Sequence, residues 1–385
     1  MKKHYENIEI LLRSENPHQP VYCIYPNVYR ESTMEFIEGF PGRVLYAVKA
    51  NNHPEIIKLL YEHGIKHFDC ASLEEIRLLR TLCPEAEIYF MNPVRFEGDA
   101  ANAQHNYSVR HFVIDDESGL VQLLSEIDAQ KSTIFARMAV SHHSASQDLS
   151  YKFGALPKAI PALLRAIKEN GAEPALAYNV GTSVTSPDAY VHAMGIAEEV
   201  LSRLPFRIRL LDIGGGFPKS YPGFRVPEIS SYLQRLQELK NKLAITQNTE
   251  LMAEPGRALS APGLSALTRV LLRKADKIFL NDGMYGVFWE LRCQAHLQYP
   301  YRVFRQGQIL TGKTQTFSVF GPTCDSSDEL PVAIELPGDI DVGDHIEFGN
   351  IGAYSLSGRT DFNGFYSDNV VSFTDENAIP PLLGT

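Results

Sequence analysis

The sequence predicts an α/β protein in which a closed (β/α)8 TIM-like barrel is followed by a β-domain, and three observations lead to this fold class. The first is the length of 385 residues, which suffices for one large barrel and a smaller appended domain. The second is a regular alternation of short β-like runs and amphipathic helical stretches from about residue 43 onward. The third is the loss of helical periodicity after about residue 262, where short strands joined by turns take over.

The alternating region contains eight strand candidates, which is the number that a closed (β/α)8 barrel needs. The segments between them, such as HPEIIKLLYEHG and PALLRAIKENG, have apolar residues at three- and four-residue spacing and predict helices. A doubly wound open sheet shows the same alternation but rarely has eight strands in one unbroken series. The strand candidates are 43–48, 66–70, 87–91, 110–114, 133–140, 174–180, 208–213 and 250–254.

Three parts follow from this pattern. Residues 1–42 contain a strand, VYCIYP, that stands before the barrel and is expected to pack with the C-terminal β-domain. Residues 43–261 form the barrel. Residues 262–385 form the β-domain, whose predicted strands are SALTRVLLR, KIFLND, TFSVFG, PVAIELP and GDHIEFGN.

Composition excludes several classes of protein. The formal net charge is −10 with both signs interspersed, which argues against a nucleic-acid binder but permits a cationic small-molecule substrate. The five cysteines have neither paired nor zinc-like spacing, so we expect a reducing compartment and no metal site. Neither a signal peptide nor an apolar run of about 18 residues occurs, so we expect a cytoplasmic protein that does not enter a membrane.

Unusual polar residues fall where the barrel strands end, which is where catalytic groups project in this architecture. A lysine after the apolar strand RVLYAV is costly to bury unless it is used. A salt bridge is the commoner use, but a desolvated lysine can also react with a carbonyl group. The polar residues at or just beyond strand ends are Lys49, Asp69, Arg137, Asn179 and Glu254.

A glycine run and two loops add further candidates. Gly214, Gly215 and Gly216 would let backbone amides approach a phosphate closely, although a tight turn would also need glycine there. In AEPGR, the guanidinium of Arg257 suits a phosphate, and the carboxylate of Glu254 suits a protonated pyridine nitrogen. GPTCDSSDEL places a thiol and three carboxylates in one loop of the β-domain, and a solvated acidic turn is the simpler interpretation of that loop alone.

Taken in order, these motifs identify a resemblance to a known family. YAVKAN, FDCAS, LSYKFGA, LDIGGGFP, EPGR, NDGMYG, GPTCDSSD and GDHIEFGNIGAY resemble the motifs of the alanine-racemase-like, fold-type III decarboxylases that use pyridoxal 5'-phosphate (PLP). The ornithine/lysine/arginine decarboxylase branch is the most similar. The resemblance covers residues from about 20 to 366, and it implies a PLP-dependent α-decarboxylase that acts on ornithine or lysine in polyamine biosynthesis.

The resemblance also implies a role for each candidate residue. Lys49 should bind the cofactor aldehyde, and Glu254 should pair with the pyridine nitrogen. The phosphate should rest on Gly214–Gly216, Thr182, Arg257 and Tyr354, with Asp69 and Arg137 near the ring oxygen and the amine. Cys324 should protonate the carbanion that decarboxylation leaves, while Asp325 should meet the distal amine and Phe362 should shape the pocket. Members are head-to-tail homodimers with shared active sites, and Lys152 and Asp328 resemble the pair that bridges that interface.

Two departures from the family pattern concern the ring and the substrate. Relatives usually stack a histidine on the ring, where YNVGTS provides Asn179. Ornithine enzymes generally have a second carboxylate shortly after the Tyr-Gly of NDGMYG, and here Glu290 or Gln294 could occupy that place, with Arg292 as an unexpected neighbour.

Besides decarboxylation of a basic amino acid, other functions stay open. The same chemistry could act on a bulkier or carboxylate-bearing amino-acid conjugate in a specialised biosynthetic pathway. A catalytically inactive regulatory paralogue is a further interpretation, although Lys49, Glu254 and Cys324 are all present. A racemase or a diaminopimelate decarboxylase fits the EPGR and Cys-Asp motifs less well.

Overall fold

The computed structural model describes residues 3–374, which form a barrel and a separate mixed sheet. No helix in this range is both long and apolar enough to cross a bilayer. The helices are α1 Ile8–Glu15, α2 Pro26–Gly39, α3 Pro54–Glu62, α4 Leu73–Leu82, α5 Asp99–Tyr107, α6 Glu117–Glu126, α7 Ile160–Glu169, α8 Asp188–Ser202, α9 Ile229–Lys242 and α10 Arg257–Ser260. The strands are β1 Lys3–Tyr5, β2 Val21–Ile24, β3 Arg43–Ala47, β4 His67–Cys70, β5 Glu87–Phe90, β6 His111–Ile114, β7 Thr133–Met138, β8 Glu173–Tyr178, β9 Leu210–Asp212, β10 Glu250–Ala253, β11 Leu264–Lys274, β12 Lys277–Leu280, β13 Tyr301–Arg305, β14 Gln308–Ile309, β15 Thr314–Phe320, β16 Ile334–Pro337, β17 His345–Phe348 and β18 Val370–Phe373.

Two compact units divide these elements. One unit consists of residues Thr33–Lys219 and Val226–Ala258 and contains the barrel strands β3 to β10. The other consists of the described residues up to Ser32, the segment Ser220–Arg225 and the described residues from Leu259 onward.

The barrel unit is a closed ring of eight parallel strands. They follow the order β10-β3-β4-β5-β6-β7-β8-β9, and every neighbouring pair is parallel. Each sequence-predicted strand coincides with one of them, so the predicted fold class is confirmed. Buried side chains from alternate strand positions form the interior core, namely Leu45, Tyr89, Met91, Val113, Phe135, Ala175, Ala177 and Met252.

Local sequence signals explain how a helix begins directly after a site residue. Ser72 caps α4 by accepting a hydrogen bond from the backbone N–H of Glu75 at 3.3 Å. The Glu75 carboxylate in turn accepts from the backbone N–H of Ala71 at 2.6 Å. This variant of the capping box closes the turn that follows Asp69 and fixes the end of β4.

The amino ends of the barrel strands carry a second group of polar side chains. Arg43 donates to Glu250 at 2.7 Å and to the Tyr89 hydroxyl at 2.5 Å. His111 pairs with Glu87 at 3.1 Å and stacks on Tyr89 with ring centroids 4.2 Å apart. In a (β/α)8 barrel this end contributes to stability, whereas chemistry belongs to the opposite end.

The other unit is built on a ten-stranded mixed sheet whose main path is β1-β18-β2-β11-β12-β15-β16. Strand β17 pairs with β11 and β13, and β13 pairs with β14. One of its cores packs α1 against β2, β11 and β18 through Leu11, Val21, Leu267 and Val371. The strands predicted from SALTRVLLR, KIFLND, TFSVFG, PVAIELP and GDHIEFGN are all present.

Candidate active site

Six polar residues lie at the carboxyl ends of the barrel strands. Side chains alternate between the two faces of a strand, so a residue two positions beyond an interior core residue in the same strand faces the interior as well. Phe135 belongs to the interior core and Leu210 packs against it, so Arg137 in β7 and Asp212 in β9 face the interior. The six polar residues at or just beyond the strand ends are Lys49, Asp69, Arg137, Asn179, Asp212 and Glu254.

A cavity of about 570 Å³ opens at this end of the barrel. Lys49, Arg137, Asn179 and Glu254 line it, together with apolar side chains such as Met91, Val113 and Tyr151. A pocket that is mostly apolar with a few convergent polar groups is the usual form of a small-molecule or cofactor site. The structure therefore brings together four of the sequence-predicted residues around one cavity.

Lys49 lies just beyond β3, in a short 3-10 turn formed by Val48–Ala50. Its Nζ atom is 2.9 Å from Oδ2 of Asp69, whose side chain is buried. Buried Asp69 thus receives its counter-ion from a lysine whose side chain is still 46% exposed. The ion pair holds the amine at the mouth of the barrel, where a carbonyl compound in the cavity can reach it.

The glycine run follows β9 and packs closely against neighbouring backbone. Gly214 and Gly216 have φ of 71° and 91°, in the left-handed region that glycine tolerates. A Cβ on Gly214 would lie 2.4 Å from the carbonyl oxygen of Tyr178, and one on Gly216 would lie 2.5 Å from that of Gly181. No other residue type fits this cradle, which suits the close approach of backbone amides to a phosphate.

Thr182 and Arg257 stand before and after the glycine run in the sequence of the barrel unit. The backbone of Thr182 pairs with the loop before α7 through Gln147 O at 3.0 Å and Ser146 N at 2.8 Å. Arg257 is buried at the start of the short helix α10. A guanidinium can bind a phosphate through charge-assisted hydrogen bonds, which is consistent with a phosphate-binding role.

Glu254 and Asp212 place two carboxyl groups at adjacent strand ends. The pKa of Glu254 is raised well above its usual range by burial, next by Asp212 and Asp69, and is held back by Lys49 and Arg137. Burial also raises the pKa of Asp212 to about 7. Asp212 was absent from the sequence-predicted site, although its place directly before the glycine run and its inward parity were available signals.

In the other unit, the Cys-Asp loop gathers a second group of predicted residues around Tyr285. The Tyr285 hydroxyl donates to Oδ2 of Asp325, and the ring stacks on Phe362 with centroids 4.4 Å apart. The Arg292 guanidinium carbon lies 4.2 Å from the centre of the Tyr285 ring. Cys324 is exposed, and its backbone N–H donates to Asn363 Oδ1 at 3.2 Å. Tyr285 and Asn363 were not singled out from sequence, because neither position signals a role without the fold.

The electrostatics of this loop favour an ionised Asp325. The Tyr285 hydrogen bond lowers the pKa of Asp325 first, then hydrogen bonds from Ser327, with a smaller contribution from Arg292. Asp328, in contrast, is buried and organises the loop itself. It accepts hydrogen bonds from the backbone N–H groups of Met284 at 2.7 Å and Thr323 at 3.0 Å.

The remaining predicted residues lie in two nearby segments of this unit. Glu290 is buried and accepts a hydrogen bond from the Tyr299 hydroxyl at 3.3 Å. Gln294 is buried as well, and its Oε1 atom has no hydrogen-bond partner within residues 3–374. Tyr354 follows β17 and has φ of 53°. Arg292 contacts Tyr285 and, through it, Asp325.

Comparisons with known proteins identify the family of this chain. The family model described as the pyridoxal-binding domain of pyridoxal-dependent decarboxylases matches residues 29–261. The chain is 30% identical to a lysine/ornithine decarboxylase of Selenomonas ruminantium over 343 residues, covering 86% of this chain and 84% of the relative.

Two solved structures are similar over nearly the whole fold. A lysine/ornithine decarboxylase of Vibrio vulnificus in complex with putrescine has a TM-score of 0.83 and 26% identity, covering 95% of this chain and 97% of the other. A variant of the enzyme abbreviated SrLDC in complex with PLP has a TM-score of 0.85 and 26% identity, covering 99% of this chain and 98% of the other. The glycine cradle, the buried arginine and the amine at the cavity fit this cofactor. The chain belongs to the pyridoxal-dependent decarboxylases of fold type III, in the ornithine decarboxylase branch, and is a PLP-dependent decarboxylase.

Proposed function

We propose that the protein removes the α-carboxylate of an amino acid with a basic side chain, ornithine or lysine in the first instance, and produces a polyamine-type amine. The observation that carries this proposal is the position of Asp325, whose carboxylate accepts a hydrogen bond from the Tyr285 hydroxyl beside the stacked rings of Tyr285 and Phe362. An ionised carboxylate next to apolar ring surface suits an aliphatic chain that ends in an ammonium group. The relatives named for lysine and ornithine support the same class.

In this proposal the predicted cofactor-binding residues would bind and orient the cofactor. Lys49 would bind the cofactor aldehyde, Glu254 would pair with the pyridine nitrogen, and Asn179 would lie beside the ring. Gly214–Gly216, Thr182, Arg257 and Tyr354 would hold the phosphate, while Asp69 and Arg137 would lie near the ring oxygen and the imine. The bound cofactor supplies an electron sink for the electron pair of the broken carbon–carboxylate bond.

Cys324 and the residues around it complete the site. The Cys324 thiol delivers a proton from Sγ to the α-carbon after carbon dioxide leaves. Asp325 binds the distal ammonium of the substrate, and Phe362 shapes the pocket near the departing carboxylate. These groups set which carbon is protonated and which side chain is accepted.

We further propose a homodimer in which the Cys-Asp loop of one subunit enters the barrel of the other. Lys152 is exposed at the rim of the barrel cavity and would reach the loop that Asp328 organises in the partner. Two shared sites would result, each built from both chains.

A second candidate substrate class is an amino acid whose side chain carries a carboxylate. Arg292 favours it, because its guanidinium lies over the same Tyr285 ring whose hydroxyl binds Asp325. A planar guanidinium can bind a carboxylate through two hydrogen bonds, whereas it repels an ammonium.

A carbon-dioxide-release screen distinguishes the two classes. The PLP-loaded protein is incubated with ornithine, lysine, arginine, diaminopimelate and conjugated diamino acids that bear a distal carboxylate. We expect the fastest release of carbon dioxide from ornithine or lysine. Release confined to the carboxylate-bearing compounds would overturn the basic-amino-acid class in favour of the second candidate.

A further inference from the structure

Asp212 is buried beside Glu254 and is not among the residues that line the cavity. Asp212 has a relative exposure of 0%, whereas Glu254 lines the cavity. Their strands are neighbours, with Met252 directly opposite Asp212, so Glu254 follows two residues later on the same inward face. Asp212 therefore contacts the glycine run and Glu254 rather than a ligand in the cavity.

The two oxygen atoms of Asp212 have different surroundings. Oδ1 accepts a hydrogen bond from the backbone N–H of Gly214 at 2.8 Å. Oδ2 is fully buried and, within residues 3–374, has no partner by hydrogen-bond geometry, although the Glu254 carboxyl is close enough to act on the pKa of Asp212. An ionised carboxylate with one oxygen unpaired in a buried site would be strongly unfavourable, whereas a neutral carboxylic acid would have an O–H to donate.

The charges around Asp212 and Glu254 indicate that these two carboxyl groups hold one proton between them. The side chains acting on the pKa of Glu254 are Asp212, Asp69, Lys49 and Arg137. With Glu254 itself, these are three carboxyls and two cations. Lys49 is paired with Asp69, which leaves Arg137 to face two carboxyls. Without a bound cofactor, full ionisation would place an uncompensated negative charge among these side chains, so one carboxyl of the pair retains a proton.

We propose that Asp212 is a positioning residue that stays protonated and donates its Oδ2–H hydrogen bond to the Glu254 carboxylate, while its Oδ1 atom holds the N–H of Gly214. This arrangement keeps Glu254 ionised and oriented toward the pyridine nitrogen. It also couples the phosphate-binding turn to the ring-binding carboxylate through one side chain. The assignment rests on the role proposed above for Glu254.

The groups that face Asp212 also define how its proton responds to pH. Burial and Asp69 raise the pKa of Asp212 and favour retention of the proton, whereas hydrogen bonding to Glu254 lowers it in the protein without a ligand. The buried Tyr178 hydroxyl lies close enough for Asp212 to raise the pKa of Tyr178. Lys49 and the Gly214 amide favour loss of the proton from Asp212. When a bound cofactor keeps Glu254 ionised, Asp212 retains its proton more readily, because two adjacent carboxyl groups resist ionising together.

The substitutions Asp212→Asn and Asp212→Leu test the proposal in the holoenzyme. Asparagine has nearly the same shape, can donate to Glu254 and can accept from Gly214, so it should mimic the neutral acid. We expect Asp212→Asn to retain PLP affinity within about threefold and the visible absorption of the wild type. Leucine lacks both polar atoms, and we expect it to weaken PLP binding at least about tenfold, which follows from the loss of a hydrogen bond to a charged group.

Infrared spectroscopy supplies a readout that does not depend on activity. The wild-type holoenzyme minus Asp212→Asn difference spectrum should contain the carbonyl stretch of a protonated carboxyl, shifted in heavy water. A difference spectrum with carboxylate bands alone would overturn the proposal, even if Asp212→Leu fails to fold. Loss of PLP affinity in Asp212→Asn as large as in Asp212→Leu would overturn it as well.

Glu254→Gln separates this proposal from the role of Glu254. We expect Glu254→Gln to change the visible absorption and its pH dependence, because the pyridine nitrogen loses its ionised partner. If that variant keeps the wild-type spectrum, the role of Glu254 is wrong and the proposal for Asp212 fails with it. If Glu254→Gln behaves as expected but the protonated carboxyl is absent, only the proposal for Asp212 is wrong.

Discussion

Arg292 is the residue that most distinguishes this site from a simple ammonium-binding pocket. Its Nε atom donates to the carbonyl oxygen of Met284 at 3.0 Å, which fixes the guanidinium over Tyr285. Asp325 therefore has a cation as a near neighbour, and that cation weakens its attraction for an ammonium group. Glu290 is held by Tyr299, so its charge acts from a different direction.

The first prediction compares Glu290→Gln with Arg292→Ala on ornithine. If Glu290 and Asp325 share the distal ammonium, Glu290→Gln should lower kcat/KM about ten- to a hundredfold, since a hydrogen bond to a charged group contributes about 1.5–3 kcal/mol. In that case Arg292→Ala should change kcat/KM on ornithine little. If Arg292 instead binds a carboxylate of the true substrate, Arg292→Ala should leave ornithine turnover intact or raise it and cripple the reaction with that substrate. Steady-state kinetics on ornithine and on the carboxylate-bearing compounds decide between them.

At the scale of elements, the turn after β9 connects fold and chemistry. It joins the end of a barrel strand to the backbone of Tyr178 and Gly181 without room for a side chain. Asp212 supplies the acceptor for its first N–H, so the turn is held from within the barrel. The conformation of three glycines is thereby fixed before a phosphate binds, which lowers the entropy lost on binding.

The second prediction concerns Gly214→Ala. The added Cβ would lie 2.4 Å from the carbonyl oxygen of Tyr178 at a φ of 71°, so the turn must shift. Such strain costs about 1–3 kcal/mol, and we expect PLP affinity to fall at least about tenfold. Gly195→Ala is the matched control, because it lies inside α8 and an added Cβ there meets nothing within 4 Å. Equal PLP affinity in both variants, measured by titration of the apoprotein, would contradict the role of the turn.

Strand identity could be predicted from the sequence to a large extent, and the site only in part. Short apolar runs between amphipathic helices fix the strands, because both patterns are local. The position of Lys49 and Glu254 just beyond strand ends then predicts their place at the cavity, and Asp69 at the end of β4 pairs with Lys49. Asp212 and Tyr285 could not be recognised, since their importance comes from neighbours that are distant in sequence, such as Glu254 and Phe362. The role of Glu290 was left open for the same reason, because its contact with Tyr299 depends on how the chain turns after NDGMYG.

At the scale of the whole molecule, the barrel has chemistry at one end and a polar stability cluster at the other. His67 belongs to the latter, and burial, followed by Arg43, lowers its pKa from 6.5 to about 4. Its Nδ1 atom is buried without a hydrogen-bond partner among the described residues. His67 therefore binds a proton less readily in the folded protein than in the unfolded chain.

The third prediction is that His67→Gln reduces the acid sensitivity of folding. Above pH 6.5 His67 is neutral in both states and contributes no pH dependence. As the pH falls from 6.5 toward about 4, the unfolded chain binds the proton first, so the free energy of unfolding decreases. The thermal midpoint of the wild type should drop more than that of His67→Gln between about pH 7 and 4.5. Parallel curves for the two proteins would show that His67 does not contribute.

The fourth prediction tests whether the sites are shared between subunits. Lys49→Ala and Cys324→Ala should each be inactive alone, and mixing them should restore up to about a quarter of wild-type activity. Half of the dimers are hybrids under random exchange, and one of the two sites in each hybrid carries neither lesion. Subunit exchange is followed in parallel with differently tagged chains. Complete exchange without recovery would place each site within one chain.

The central claim is that Lys49 holds the cofactor at the mouth of the barrel, and borohydride reduction of the PLP-loaded protein followed by peptide mapping tests it most directly. The account predicts that the reduced cofactor is found on the peptide containing Lys49, and that Lys49→Ala loses both this label and carbon-dioxide release. Lys49 and Lys152 both line the cavity, and Lys49 is the one paired with buried Asp69, so peptide mapping distinguishes the two amines. Labelling of Lys152 or of another lysine, with Lys49→Ala still active, would contradict the account.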